Sequence, residues 1–593
     1  MTTVASSVAA RVHDGRIVFR GEPTPDLVAF YRSLPRAAET LCCPGCDSGN
    51  TYTVPGVAAL LGVKGYCCRD CGRKFTAAQS QSSAWACEAT PGAAWRVLRQ
   101  PGIDAARIGG PDDGIARLQE RLQGDRPYGE GQPAIRKTDA WDHQVEAYQF
   151  ALARPATLLE MGMGTGKTKV AIDLAANWRC ERVLVLCPKS VMDVWEHEIG
   201  VHAAHRPLLI MLRRGSVKEK AATAGRWMTR KDLPGEMRII VVNYEAARAR
   251  AFAEWSLGEK RQWDLVVLDE SHRGKAPGSV TARYLEKLGR MAARRLCLTG
   301  TPMPNGPLDI FSQFRFLDPG LFGTSFCWYR DHYATMGGYE DREVVAYRNV
   351  EEMQRLMSLI TFRCGDEVLD LPSTQDHNRR FDLSAKGRKH YNELATDLVT
   401  EIEGGEVTAA NALVKLLRLQ QITSGYLAVE DSPPEEVDAG KATLLAELLE
   451  DIGPTERVVV ACKFLHDLDV VRRVAGAMDR PYGEISGRDN AYREWKAGGV
   501  NVLGTQIQAG SLGIDLTEAR YAIAYSVGFS LGDWLQWRKR VHRPGQTRGV
   551  HYYHLIARGT VDEAVYGALQ RKQQVVEAVL DGLTNKASIT NGG

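Results

Sequence analysis

Five short apolar runs punctuate the chain from its middle onward: RVLVLC (182–187), RIIVVNY (238–244), DLVVLDE (264–270), RLCLTGT (295–301) and RVVVAC (457–462). Polar or turn residues flank each run, and the sequence between them is helix-compatible. A strand that alternates apolar and polar positions has one wet face, whereas a strand that is apolar throughout is covered on both. The pattern therefore predicts an α/β fold of parallel strands enclosed by helices. From roughly 320 to 450 the pattern turns mostly helical, as in VEEMQRLMSLI and AANALVKLLRLQQI, and the acidic EDSPPEEVDAG (430–440) predicts an exposed linker. The strands fall into two groups on either side of that stretch. Two parallel-sheet lobes with helical insertions follow as the predicted architecture.

At 593 residues the chain is too long for one hydrophobic core, and three or four domains are expected. A formal net charge of +3 is close to neutral, so bulk electrostatics give no argument for a nucleic-acid partner. Such a partner must be argued from local sites. The start, MTTVASSVAARVHDGRIVF, lacks the apolar core of a signal peptide, and no uncharged apolar stretch approaches a membrane span. A soluble, cytoplasmic protein with no membrane partner is expected.

TLLEMGMGTGKTKVAIDLAANW reads as an apolar strand, a glycine-rich turn and an amphipathic helix. A triphosphate needs backbone N–H groups that approach closely, which explains Gly164 and Gly166 around Thr165. Lys167 supplies charge for the β and γ phosphates, and the Thr168 hydroxyl is a magnesium ligand. The strict phosphate-loop pattern has a further glycine where this chain has Met161. About a hundred residues later, DLVVLDESHRG sets Asp269 at the end of an apolar run, placed to hold magnesium through its water shell. Glu270 beside it is placed to polarise an attacking water. His272 either couples this site to the next motif or is simply a packed residue.

These motifs, in this order, resemble the superfamily 2 helicases, and the segments around them resemble the Snf-type DNA translocases. WDHQVEAYQF carries Gln144 where that family has its adenine-reading glutamine. LCPKSVMDVWEHE, with Pro188, Lys189 and Trp195, looks like the segment after the family's second strand. VVNYE (241–245) and LTGTPMPN (298–305) stand where the family has DNA-contacting and coupling elements, and FRCGDEVLDLP (362–372) resembles its basic bridge. TQIQAGSLGIDL, with Gly513 and Asp515, resembles motif five, although many Snf-type proteins have Asn in place of Asp515. QWRKRVHRPGQ, with Gln536, Arg540 and Arg543, resembles motif six. The likeness covers roughly 136–570. It implies two tandem RecA-like lobes, ATP and magnesium as ligands, and duplex or forked DNA as partner. Arg540 and Arg543 are three apart, hence on one helical face, and the resemblance makes them arginine fingers for the γ-phosphate.

Six of the thirteen cysteines crowd residues 42–71. Cys43-x-x-Cys46 and Cys68-x-x-Cys71, with 21 residues between the pairs, match a tetrahedral four-thiolate zinc site. Cys42 and Cys67 are alternative ligands. The segment resembles the zinc ribbons of transposases and other DNA-processing proteins. Arg69, Arg73 and Lys74 around Phe75 suit phosphate contact, and docking of a protein partner is the competing reading.

The expected domains are an N-terminal segment (1–36), the ribbon (37–80), a connecting region (81–135) and a first ATP-binding lobe (136–325). A helical bridge opening the second lobe (326–440), the second lobe (441–583) and a tail (584–593) complete them. The functional expectation is a DNA-stimulated ATPase that translocates on duplex DNA. A strand-separating helicase on DNA or RNA, and a DNA-binding scaffold with a nucleotide switch, are the alternatives. Metal analysis of the purified chain is expected to return about one zinc per molecule; less than about half an equivalent counts against the ribbon.

Overall fold

The computed structural model describes residues 135–581 apart from 230–235, 259–262, 339–342, 404–408, 428–433 and 508–513. Before residue 135 it describes seven strands together with Phe30, Leu34 and Arg96.

The first lobe is built on seven strands: β1 (Ala156–Met161), β2 (Arg182–Cys187), β3 (Leu208–Met211), β4 (Arg238–Asn243), β5 (Trp263–Asp269), β6 (Ala292–Thr299) and β7 (Thr361–Cys364). They pair in the order β3-β4-β2-β5-β6-β1-β7, all parallel. The apolar runs are its centre. Every residue of β1 and β4 is buried, as a strand covered by helices on both faces must be. The last strand, β7, comes from beyond residue 325, so the block 326–440 contributes to both lobes.

The second lobe has six parallel strands: β8 (Thr374–Phe381), β9 (Val458–Cys462), β10 (Tyr482–Ile485), β11 (Val502–Gln506), β12 (Tyr521–Ala524) and β13 (Val550–Ala557). Their order is β8-β13-β12-β9-β11-β10. Apolar β9 sits near the middle and is buried throughout. Edge strand β8, TQDHNRRF, is largely exposed, and its polar sequence carries no apolar signal.

Three helices place the chemistry. α1 (Asp142–Leu152) and α2 (Lys167–Asn177) flank the phosphate turn, and α3 (Leu531–Val541) carries the arginine motif. Leu531, Trp534, Trp537 and Val541 form the buried stripe of α3, and the Trp537 indole donates to Thr505 Oγ1 at 2.8 Å. The Ser530 side chain caps its first turn by accepting from the Asp533 N–H. The opposite side of α3 is therefore held rigidly toward the first lobe.

A fourth helix, α4 (Val561–Asp581), starts in the second lobe and returns to the first. At its start Asp562 accepts from Lys441 Nζ and Thr423 Oγ1, both at 2.8 Å. At its end Asp581 pairs with Arg363 at 3.0 Å, and Gln354 Nε2 donates to the Ala578 carbonyl at 2.8 Å. No helix among the described residues is long and apolar enough to cross a membrane.

Before residue 135 the strands Ala9–His13, Arg16–Arg20, Ser83–Glu88 and Ala38–Leu41 pair in that order as one antiparallel sheet. A second antiparallel sheet, Thr51–Val54, Gly65–Cys68 and Lys74–Thr76, is inserted between its last two strands in sequence. Cys43, Cys46 and Cys71 lie outside the described residues, and Cys68 is described only as backbone ending a strand.

The buried pair predicts a large, specific cost. Asp562→Ala strands the Lys441 ammonium, which is 1% exposed, and is expected to destabilise the chain by about 3–5 kcal/mol. Denaturant unfolding of the two proteins checks this, and a loss below about 1 kcal/mol would mean that water reaches the lysine.

Candidate active site

Parallel strands end together, so the register of the first sheet gathers three motifs at one edge. Thr299 lies opposite Glu160 and Leu298 opposite Asp269, which sets the ends of β1, β5 and β6 side by side. The phosphate turn leaves β1 at Met161 and enters α2 at Lys167. Gly164 and Gly166 both have φ of 82°, in the left-handed region that a side chain disfavours. Space requires them too: a Cβ on Gly164 would sit 2.7 Å from Pro544 Cδ of the second lobe, and one on Gly166 2.2 Å from Gln144 Nε2.

Inside the turn, Lys167 Nζ donates to the Met161 and Gly162 carbonyls at 2.9 and 2.8 Å, and Thr165 Oγ1 donates to the Gly162 carbonyl at 2.7 Å. Thr168 follows in the first turn of α2. Gln144 braces the loop from below, its Nε2 donating to the Thr165 carbonyl at 3.0 Å and its Oε1 accepting from the Trp141 N–H at 3.1 Å.

Asp269 is buried at the end of β5. One carboxylate oxygen accepts from the Trp195 indole at 2.8 Å and the other from the Glu270 N–H at 3.0 Å. Trp195 is itself buried, so it positions the acid from within the first lobe. Glu270 has φ of 51°, an uncommon backbone for a residue with a side chain.

From the second lobe, α3 brings Arg540, 5% exposed, to this edge. Burial lowers its pKa to about 10, with Glu270 pulling the other way, so it stays charged at neutral pH. Burial also lowers the Lys167 ammonium, again opposed first by Glu270 and then by Asp269. Asp269 is pushed up to about 6 by burial and by Glu270. Two cations and two carboxylates, drawn from both lobes, thus act on one another in a desolvated volume. This donor set suits a magnesium triphosphate: Thr168, Asp269 and Glu270 for the metal and its water, and Lys167 and Arg540 for the phosphates.

His272 joins the lobes. Its Nδ1 lies 3.1 Å from Thr299 Oγ1 and its Nε2 3.2 Å from Gln536 Nε2. An amide nitrogen can only donate, so Nε2 accepts and the ring proton sits on Nδ1, directed to Thr299. Burial lowers the His272 pKa, which keeps this neutral tautomer. The histidine is therefore a link between the acidic box, β6 and α3. Gly532 N–H donates to the Pro304 carbonyl at 3.2 Å and adds a second contact between α3 and the segment after β6.

Other expected residues are placed differently. Arg543 reaches the Ile514 carbonyl at 3.5 Å. Asp515 gives its carboxylate to Lys496 at 2.9 Å and to the Thr517 N–H at 3.1 Å. Gly513 lies outside the described residues. The segment expected to form a basic bridge has one arginine against Asp366, Glu367 and Asp370. Its Arg363 is taken up by Glu160 at 3.3 Å and Asp581.

Sequence reading missed a cavity of about 850 Å³ beside the phosphate loop, lined by Trp141, His143, Glu146, Leu369, Leu371 and Pro544 among others. Trp141 is 53% exposed there, its ring 5.5 Å from that of His143. Trp141, just before α1, and His143, in its first turn, were the signal that the sequence offered.

Two domain families and several known proteins are similar to this chain. The SNF2-related domain model matches residues 93–425, and the helicase conserved C-terminal domain model matches residues 440–545. The DNA annealing helicase and endonuclease ZRANB3 of Bos taurus is 26% identical over 464 residues, covering 76% of this chain and 41% of that protein. This chain therefore spans less than half of that relative. Putative protein p41 of Acyrthosiphon pisum secondary endosymbiont phage 1 is 23% identical over 450 residues, covering 72% of this chain and 94% of its own length. Among solved structures, the Sulfolobus solfataricus SWI2/SNF2 ATPase core in complex with dsDNA is 21% identical, covering 76% of this chain and 95% of that one, with a TM-score of 0.35.

The exposed indole invites a direct measurement. Trp141→Ala is expected to raise the KM for ATP about tenfold with kcat nearly unchanged, as loss of base stacking would. An unaltered KM in an ATP titration would remove the cavity from nucleotide binding.

Proposed function

The chain belongs to the SNF2-related family, and on that premise we propose that it is an ATP-driven motor that translocates on double-stranded DNA. One observation carries the reading: the helix that bears buried Arg540 in the second lobe lies against the acidic box of the first, Gln536 Nε2 standing 3.2 Å from His272 Nε2, while Pro544 packs on the phosphate loop so closely that a Cβ on Gly164 would fall 2.7 Å from its Cδ. A site divided between two bodies is complete only when they close, and closure is what a bound triphosphate rewards.

In this reading Lys167 and the turn's N–H groups bind the β and γ phosphates, and Gln144 fixes the depth of the loop next to the base. Thr168 and Asp269 hold magnesium, which neutralises phosphate charge when bound. Glu270 orients and deprotonates the attacking water. Arg540 stabilises charge on the transferred phosphoryl group, with Arg543 as its neighbour. Such a finger is worth on the order of 10³ to 10⁵ in rate in related systems. Hydrolysis removes the γ-phosphate contact that favoured closure, and a duplex gripped by both lobes is stepped along.

DNA as the track is supported by the family and by the bovine relative, named as a DNA annealing helicase. We further propose a zinc ribbon held by Cys43, Cys46, Cys68 and Cys71, which adds a DNA or protein contact. The three-stranded antiparallel sheet supports it, because the second CxxC pair falls in sequence between the end of strand Gly65–Cys68 and its paired strand Lys74–Thr76.

Lys167→Ala is expected to abolish duplex-stimulated ATP turnover while duplex binding remains. Arg540→Ala is expected to lower turnover by on the order of 10³. Wild-type displacement of a triplex third strand, exceeding separation of a forked duplex, completes the reading. Equal fork separation would replace translocation by unwinding. Absence of turnover with single-stranded DNA, duplex, fork and RNA alike would leave only a nucleotide switch, and intact turnover in Arg540→Ala would end the composite-site mechanism.

A further inference from the structure

Between Gln536 and Arg540 on α3 stands Lys539, three residues after the glutamine and so on the same helical face. Its Nζ lies 2.8 Å from Asp366 Oδ2 of the first lobe, with the two side chains 22% and 31% exposed. Asp366 opens a short turn, Asp366–Val368, directly after β7. That turn and the end of β7 each touch the phosphate loop. The second carboxylate oxygen of Asp366 is buried without a hydrogen-bond partner and lies against the phosphate loop: a Cβ on Gly162 would fall 2.0 Å from it. The Gly162 N–H also donates to the Cys364 carbonyl at 2.8 Å. Immediately downstream, Val368, Leu369, Asp370 and Leu371 line the cavity beside Trp141.

One short segment therefore meets the phosphate loop, the base cavity and the arginine helix at once. An arginine finger works only if its guanidinium reaches the γ-phosphate in the right geometry, and helix α3 is anchored in the second lobe by buried Trp534 and Trp537. Gln536 on His272 and Gly532 on Pro304 hold the first half of that helix against the first lobe. Neither lies beside Arg540. Lys539 on Asp366 supplies a third contact, on the residue next to that arginine.

We propose that the Lys539–Asp366 ion pair is an inter-lobe clasp that sets the register of the arginine helix on the phosphate loop, making both residues positioning residues for ATP hydrolysis. The proposal rests on the ATPase reading above. Neither residue need touch the nucleotide. The turn bearing Asp366 also walls the cavity beside Trp141.

A double-mutant cycle in the full chain tests it, using Asp366→Asn, Lys539→Met and the double variant, with duplex-stimulated turnover and small-angle scattering of the ATP-free protein as readouts. Each single variant is expected to lower kcat about tenfold with the KM for ATP within about twofold. The double is expected to lose no more than either single, since both remove one contact. Scattering is expected to show the same more open form in all three, and Lys539→Arg to restore turnover in part. Additive losses, or a Lys539→Met defect with Asp366→Asn unaffected, would make Lys539 a direct phosphate ligand and overturn the clasp. Unchanged scattering in every variant overturns it as well, even if the wild type hydrolyses nothing, an outcome that would separately sink the ATPase reading. A thermal midpoint within about 3 °C of wild type separates loss of register from loss of fold.

Discussion

The whole arrangement depends on charges of opposite sign, held on two separately folded lobes, meeting across a gap that neither can fill. Lys167 and the Asp269–Glu270 pair sit on one sheet edge, and Arg540 sits on a helix of the other lobe. Burial makes the charges of Lys167, Asp269 and Arg540 costly, and neighbouring charges of opposite sign lower that cost. An anion with a divalent cation is the species that satisfies all of them together. The geometry thus suits a highly charged ligand bound between the two halves.

Such a device needs stiff lobes and few, specific links. Stiffness comes from parallel sheets buried on both faces and from an arginine helix anchored by stacked Trp534 and Trp537, 5.4 Å apart. The links are polar and narrow: Gln536 to His272, Gly532 to Pro304, Lys539 to Asp366. Polar contacts of this kind carry little net stability and can be exchanged for water at small cost. A large apolar seam in their place would weld the lobes shut. Helix α4 is the exception, with its start on a buried ion pair and its end docked on Arg363 and Gln354. It ties the two lobes together through charged and polar contacts at both of its ends.

Arg363 also shows how charge is shared between structure and site. It lies between Glu160, on the strand that feeds the phosphate loop, and Asp581 at the end of α4. Burial pushes Glu160 up to about 8, and Arg363, Lys539 and Lys167 oppose it in that order. Cations near the loop are therefore faced by the carboxylates of Asp366, in the turn after β7, and Asp581, at the end of α4.

Much of this was legible in the residues alone. Continuous apolar runs announce strands of parallel sheets because only double-sided burial selects them, and β2, β4, β5, β6 and β9 are where those runs lie. The phosphate loop and acidic box were legible because their function lies in consecutive residues: a turn that needs glycine, an ammonium after it, and carboxylates at a strand end. Polar strands such as β8 and short ones such as β7 escaped, since an exposed edge imposes no apolar pattern and four residues carry little of one. What only the tertiary structure decided is which distant groups meet. His272 and Gln536 are 264 residues apart, and nothing in either segment names the other. The same holds for Lys539 with Asp366 and for Trp195 with Asp269. Local backbone chemistry is written in neighbouring residues, whereas contacts between lobes depend on how two sheets are oriented, a property that no single stretch of chain contains.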